Sequence, residues 1–135
     1  MASTKNRILN ISLWIVQVLL SIMFIMAGLM KLSQPISELS ISLPWTTDTP
    51  EFLIRFIGLS ELLGGIGFVL PALLRIKPKL TAYAGIGISI IMLLASVLHT
   101  YRGEYSSIIF NFLILGMAVY VAWGRLKKIP IEPKK

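Results

Sequence analysis

Four long apolar segments, separated by short polar links, restrict what this chain can fold into more than any other feature of its sequence. They cover about residues 8–30, 50–74, 80–98 and 107–124. A helix needs ~20 residues to cross a hydrocarbon core of ~30 Å, and backbone groups in lipid must be hydrogen bonded within their own segment. With only 14% charged residues, the chain could not cover this much apolar surface in water. The sequence predicts an all-α protein, a four-helix transmembrane bundle that forms a single membrane domain over residues 1–135.

Basic residues are distributed unevenly about these spans. With four spans, both termini share one side of the membrane with the link between the second and third span. Ten Lys and Arg residues lie on that side, against Lys31 and Arg102 on the other, with Arg55 just inside the second span. Cytoplasmic loops carry an excess of Lys and Arg, so we predict that both termini are cytoplasmic and that residues 125–135 form a basic tail. This orientation explains the net charge of +7, and no nucleic acid is expected as a partner.

The first span also begins like a secretory signal peptide, with Lys5 and Arg7 ahead of an apolar run. However, the run is longer than the usual ~7–15 residues, and no convincing A-x-A cleavage site follows it. We therefore interpret the segment as a permanent span, with a cleaved signal peptide as the alternative.

Scarce residue types limit the chemistry open to the chain. It has no cysteine and one histidine, His99, which excludes disulfides, thiolate nucleophiles, Cys-ligated clusters and a haem held by two histidines of one chain. A zinc site would need most of its ligands from carboxylates, so no metal site is predicted. Any redox chemistry would need an organic cofactor or a partner protein.

Small or polar residues recur along each span at alternating spacings of four and three, which place them on one helix face. The four stripes consist of Trp14, Gln17, Ser21, Phe24, Gly28 and Lys31; Gly58, Glu61, Gly65 and Phe68; Thr81, Gly85, Ser89, Met92, Ser96 and His99; and Asn111, Leu115, Ala118, Ala122 and Arg125. Small residues allow helix backbones to approach closely in lipid, so we expect these stripes to face the bundle axis.

Glu61 places a carboxylate deep in the second span. At 1.5 Å per residue it lies ~15 Å from the outer end of its helix. An unpaired charge there costs ~2.5–3.5 kcal/mol on insertion scales, so Glu61 needs a partner or a proton. Lys31 ends the first span on the same side, His99 ends the third, and Asn111 lies near the start of the fourth. We predict that these four side chains converge in the outer half of the bundle and bind a ligand there.

Each of the four residues also has an interpretation that requires no ligand. Glu61 can be held by Lys31 or Asn111 in a buried pair that sets helix register. Lys31 can extend to the outer headgroups, His99 can interact with a helix C-terminus, and Asn111 can form a helix–helix hydrogen bond. Because ionisable residues inside membranes are usually functional, a proton-handling or ligand-binding role for Glu61 stands beside the structural one.

Four motifs, in order, resemble the DoxX-like family of small bacterial membrane proteins. The motifs are "FIMAGLMKL" in the first span, "GLSELLGGIGFVLP" in the second, "LLASVLH" in the third and "NFLILGMAVYVAWGR" in the fourth. The resemblance extends over about residues 8–125 and implies a multi-pass protein of a bacterial cytoplasmic membrane. Carried over by position, the characteristic places of the family fall on Gly28, Lys31, Glu61, Gly64, Gly65, Pro71, His99 and Asn111.

The resemblance also implies a redox association, because some relatives are linked to quinone-dependent oxidation of sulfur compounds or to complexes that protect against oxidative stress. The absence of cysteine argues against a direct thiol or sulfur-transfer role. We therefore expect a redox-associated subunit that binds a quinone-like molecule and works with a membrane or peripheral redox partner protein. The alternatives are a binding or transport protein for a small amphipathic solute, which would call for a homo-oligomer, and a non-catalytic membrane scaffold. The sequence leaves open whether the chain is an enzyme.

Overall fold

The structure, a computed structural model, describes residues 3–135 and is helical along most of this length. Its helices are α1 (Thr4–Ser33), α2 (Ile36–Ser42), α3 (Glu51–Leu74), α4 (Lys79–Arg102) and α5 (Tyr105–Trp123). All but α2 are long and apolar enough to cross a membrane. The predicted all-α bundle with four membrane-spanning helices is confirmed, and the chain is a multi-pass membrane protein. The orientation of its termini stays a prediction.

The helices run beyond the predicted spans at several ends, because hydropathy marks only the part of a helix that lies in hydrocarbon. At the start of α1, Ser3 acts as the N-cap, and its hydroxyl accepts a hydrogen bond of 3.1 Å from the backbone N–H of Asn6. At the end of α4, Gly103 adopts the left-handed conformation, with φ 71°, that commonly terminates helices. Polar residues at the membrane surface therefore continue both helices.

The chain stays helical for one more turn after α5. A π-helical turn, Gly124–Lys128, extends α5, and within it Arg125 is only 3% exposed. The tail comes back to the turn between α3 and α4, where Arg75 Nε donates a 2.8 Å hydrogen bond to the carbonyl of Glu132. Arg125, the first residue of the predicted tail, is thus packed in the bundle, in line with its place on the inward stripe of the fourth span.

The four long helices pack as two close pairs, α1 with α3 and α4 with α5, joined mainly by contacts between α3 and α4. The stripes of small and polar residues face inward as predicted, with nearly every member buried and with Trp14, Leu115 and His99 half-buried. Large aliphatic side chains on the opposite faces are exposed, as expected for surfaces in contact with lipid.

Glycines allow α1 and α3 to approach very closely. A Cβ added to Gly28 would lie 2.6 Å from the carbonyl oxygen of Gly58, and one added to Gly58 would lie 2.7 Å from Cβ of Lys31. The same interface is linked by a 2.7 Å hydrogen bond from the Ser21 hydroxyl to the carbonyl of Gly65. No larger side chain fits at these contacts, and this proximity brings the end of α1 against the middle of α3.

The connection between α1 and α3 closes one end of the bundle. Helix α2 and the 3₁₀ turn Pro44–Asp48 form a compact cover, by which we mean residues 36–48. Leu39 and Trp45 of the cover pack with Ile54 of α3 in a small apolar cluster separate from the main core. The cover therefore shields this end of the bundle, which we call the cover end.

Candidate functional site

A cavity of about 740 Å³ lies beneath the cover, between α1, α3, α4 and α5. Its wall is largely apolar and includes the ring of Trp45. The four residues predicted to form a site all line this cavity: Lys31, Glu61, His99 and Asn111. The fold thus brings together side chains from four separate helices. Their binding of a ligand stays a prediction.

Lys31 and Glu61 form a buried ion pair at the cavity wall. Nζ of Lys31 donates a 2.8 Å hydrogen bond to Oε2 of Glu61, and the two side chains are 8% and 7% exposed. Among residues 3–135, no group donates a hydrogen bond to the second carboxylate oxygen of Glu61. Because a carboxylate can accept several hydrogen bonds, Glu61 keeps accepting capacity at the edge of the cavity.

His99 is oriented by an acidic residue just beyond its helix. Nδ1 of His99 lies 3.0 Å from Oε1 of Glu104, which also accepts a 2.9 Å hydrogen bond from Nε of Arg102. Since an ionised carboxylate only accepts, Nδ1 must carry the hydrogen, and Nε2 is left to exchange a proton or bind a ligand. The hydrogen bond from His99, together with that from Arg102, holds the pKa of Glu104 below its usual value of 4.5.

Asn111 is a buried amide that has no protein partner within the described residues. It is 8% exposed and lines the cavity, yet Nδ2 is fully enclosed and makes no hydrogen bond. The helix–helix hydrogen bond considered from the sequence is therefore not formed. An unsatisfied buried polar group costs ~1–3 kcal/mol, so this amide would gain from an acceptor, which Nδ2 would reach once a side-chain rotation turned it from its enclosed position into the cavity.

Arg55 supports the site without entering it, a role that sequence reasoning missed. Nη1 of Arg55 donates hydrogen bonds of 2.7 Å to the carbonyls of both Lys31 and Gln34. Lys31 lies in the last turn of α1 and Gln34 is its C-cap, where backbone carbonyls have no partner within the helix. Arg55 thus holds the helix end that carries Lys31, whereas the sequence showed only that Arg55 lies just inside the second span.

Arg102 fastens the cover to the bundle. It forms ion pairs with Asp48 in the cover and with Glu104 at the start of α5. Asp48 and Arg102 lie 54 positions apart in the sequence, and no sequence pattern indicates that they pair. The cover is therefore anchored by apolar packing on α3 and by charge at the α4–α5 turn.

A second polar cluster lies at the other end of the bundle. Nε of Arg125 donates a 2.7 Å hydrogen bond to Oε1 of Gln17, and Nη1 donates another of 2.7 Å to Oδ1 of Asn10. The guanidinium also lies 5.4 Å from the ring centroid of Trp14. Gln17 in turn donates 2.7 Å to the carbonyl of Phe68, so this cluster joins α1, α3 and the end of α5.

Comparison with known proteins identifies one family. The model of the DoxX-like family matches residues 15–121, which include the ion pair, His99 and Asn111. No curated protein and no solved structure matches the chain.

Proposed function

The chain belongs to the DoxX-like family, and on this premise we propose that it binds a small quinone-like molecule in the cavity beneath the cover. In the proposed arrangement it is a redox-associated subunit of a bacterial cytoplasmic membrane, with both termini in the cytoplasm and the cavity in the outer half. Electrons would pass to or from a partner protein in or at the membrane.

The observation that carries this proposal is the unpartnered amide of Asn111. A purely structural asparagine inside a membrane protein gains its stability from an interhelical hydrogen bond, and Asn111 has none. A rotation of the amide would turn Nδ2 toward the cavity, where a carbonyl oxygen of a ligand would accept its hydrogen bond and remove the cost of burying it unpaired. The mainly apolar wall suits a flat apolar ring that carries a few polar atoms.

The neighbouring charged groups fit the same class of ligand. A quinone, when bound, supplies two-electron chemistry that takes up or releases protons at its oxygens. His99 could hold a proton at Nε2, and Glu104 behind it would stabilise the charged imidazole. Lys31 keeps donor capacity beyond its bond to Glu61, because an ammonium has three N–H groups. The cover would keep bulk water from the ligand.

Quinone binding can be measured through tryptophan fluorescence, because Trp45 lines the cavity. Purified protein in lipid nanodiscs is titrated with a dimethoxybenzoquinone that carries no tail. We expect saturable quenching for the natural chain. For Asn111→Leu we expect binding about threefold to tenfold weaker, the effect of one lost neutral hydrogen bond.

Stability separates a ligand-binding Asn111 from a structural one. Because the amide has no protein partner, Asn111→Leu should leave the free energy of unfolding unchanged or higher while binding falls. Thr81→Val is the matched control, since the Thr81 hydroxyl is also buried and unpartnered but does not line the cavity. Thr81→Val should likewise leave the free energy of unfolding unchanged or higher, but it should not weaken binding. Absence of saturable quenching in the natural chain would refute the proposed function.

A further inference from the structure

A second depression runs along the lipid-facing side of the bundle between α3 and α4. We call it the α3–α4 groove; its volume is about 550 Å³. Ser60 and Ile91 lie at one end, and Pro71 and Leu80 lie at the other. Its lining is almost entirely apolar, and large side chains on its rim, such as Leu63, are exposed to the surroundings.

The groove adjoins the cavity beneath the cover. Ser60 and Ile91 line both, and Ser60 directly precedes Glu61. From Ser60 to Pro71 the groove follows α3 for ~16 Å at 1.5 Å per residue, about half of a hydrocarbon core of ~30 Å. A molecule held in the cavity can therefore extend along the groove without leaving the protein surface.

Glycines shape this path. A Cβ added to Gly64 would lie 2.7 Å from Cδ1 of Ile88, and one added to Gly67 would lie 2.9 Å from Cβ of Ala84, so α3 and α4 meet closely along the floor. Gly87 differs, because a Cβ there would meet nothing within 4 Å. Gly87 therefore leaves open space in the lining, and a side chain at this position would project into the groove.

We propose that the ligand is a membrane-resident amphiphile whose uncharged carbonyl head lies in the cavity and whose single apolar tail lies in the α3–α4 groove. This inference rests on the proposed function and specifies the class of molecule that the site accepts. The ligand enters sideways from the bilayer between α3 and α4, where Leu53, Phe56 and Leu94 form an exposed rim of the cavity.

The depth in the membrane at which the groove meets the cavity argues for an uncharged head. The groove starts at the level of Glu61, close to the middle of the membrane, where a phosphate or free carboxylate would be costly to bury. A phospholipid would place its charged group at the surface, and its chains would end near the midplane instead of following the groove beyond it. A long chain attached to a neutral head matches both the depth and the apolar lining.

The experiment compares two ligands that share one head. The tailless dimethoxybenzoquinone and its decyl derivative are titrated, in lipid nanodiscs, against the natural chain, Gly87→Leu and Gly116→Leu. Gly116 is the matched control, since it is also a helical glycine with nothing within 4 Å of an added Cβ, and it lines neither the groove nor the cavity. Binding is expressed relative to the ligand's concentration in the bilayer.

We expect the decyl form to bind the natural chain about threefold to tenfold more tightly than the tailless form. The gain is modest because lipid is as apolar as the groove, so only packing favours the bound tail. G87L should abolish this advantage and leave binding of the tailless form unchanged, and G116L should alter neither. If G87L retains the full tail advantage, or if the natural chain shows none, the groove is filled by bulk lipid and the inference is wrong. If neither form binds the natural chain, the proposed function itself fails.

Discussion

Lys31 and Glu61 form an ion pair of 2.8 Å between α1 and α3, with both side chains less than a tenth exposed. The pair exists because Gly28 and Gly58 let the two helix backbones approach one another. Close helix packing, a buried ion pair and the cavity wall therefore coincide at this contact. Substitutions there can change the free energy of unfolding and ligand binding independently of each other.

Replacing one partner of the ion pair should lower the free energy of unfolding. Glu61→Gln leaves the ammonium of Lys31 buried without its counter-charge, and loss of one partner from a buried pair typically costs ~3–5 kcal/mol. The double variant K31M/E61Q removes both charges and should recover most of this loss. Unfolding in mixed detergent micelles measures both quantities. Equal stability of E61Q and the natural chain would show that the pair does not contribute to folding.

Filling the closest helix contact should destabilise the protein. Gly28→Ala places a methyl group 2.6 Å from the carbonyl oxygen of Gly58, so α1 and α3 must separate, at a cost of ~1–3 kcal/mol. Gly116→Ala meets no neighbouring atom and should be neutral or stabilising by up to ~1 kcal/mol, as expected for alanine in a helix. The same unfolding assay tests both. A stabilising G28A would contradict the close approach.

Acid should weaken the α4–α5 turn through Glu104. Hydrogen bonds from His99 and Arg102 hold the pKa of Glu104 below its usual value of 4.5 in the folded protein. Its contribution to stability is therefore present above pH 4.5 and is lost as the pH falls below 4.5 toward the lower folded value. Unfolding measured from pH 7 to pH 3 should show this loss in the natural chain. Glu104→Gln should be less stable at pH 7 and should lack that part of the acid dependence.

The second polar cluster should matter for folding alone. Gln17→Leu removes the acceptor for Nε of Arg125 and the donor to the carbonyl of Phe68. We expect a loss of ~1–3 kcal/mol, because Arg125 stays buried with one fewer partner. Quinone binding per folded molecule should be unchanged, since neither residue lines the cavity. A selective loss of binding in Q17L would link the two ends of the bundle.

The natural lack of cysteine makes the predicted orientation simple to test. Single cysteines replace Ser37 in the cover and Lys128 at the other end of the bundle, two exposed positions. In intact cells a membrane-impermeant maleimide should label Ser37→Cys. It should label Lys128→Cys only after the membrane is permeabilised. The opposite pattern would place the cavity on the cytoplasmic side.

Sequence reasoning could predict the fold because lipid imposes strong rules on a chain. Apolar length sets the number of spans, and the spacing of Gln17, Gly28 and Glu61 sets which faces meet. The same rules brought the four candidate residues to one cavity. What they could not give was the partner of each polar group. From the sequence, Asn111 could bond Glu61 or another helix, and its lack of a partner becomes visible only when every neighbour is placed.

The periodicity of the sequence also could not predict contacts made by loops. The pairing of Arg102 with Asp48 depends on how the cover folds, and no periodicity describes a segment of two short helical turns. The sequence placed Arg125 both on the inward stripe of the fourth span and at the start of the basic tail, and a π-helical turn leaves no clear signal to decide between them. Its burial follows from the contacts with Gln17 and Asn10, far away along the chain.

Helix α3 makes two hydrogen bonds with Lys31. The Arg55 guanidinium donates to its backbone carbonyl, and the Glu61 carboxylate accepts from its side chain. A motion that keeps both bonds must move α1 and α3 together as one rigid unit. The bundle would then open by a movement of α4 and α5 away from α1 and α3, about an axis near the short turn after α3. Passage of a ligand between the bilayer and the cavity would thus depend on the α3–α4 interface. A more rigid α3–α4 turn would slow this passage without altering any residue that contacts the ligand.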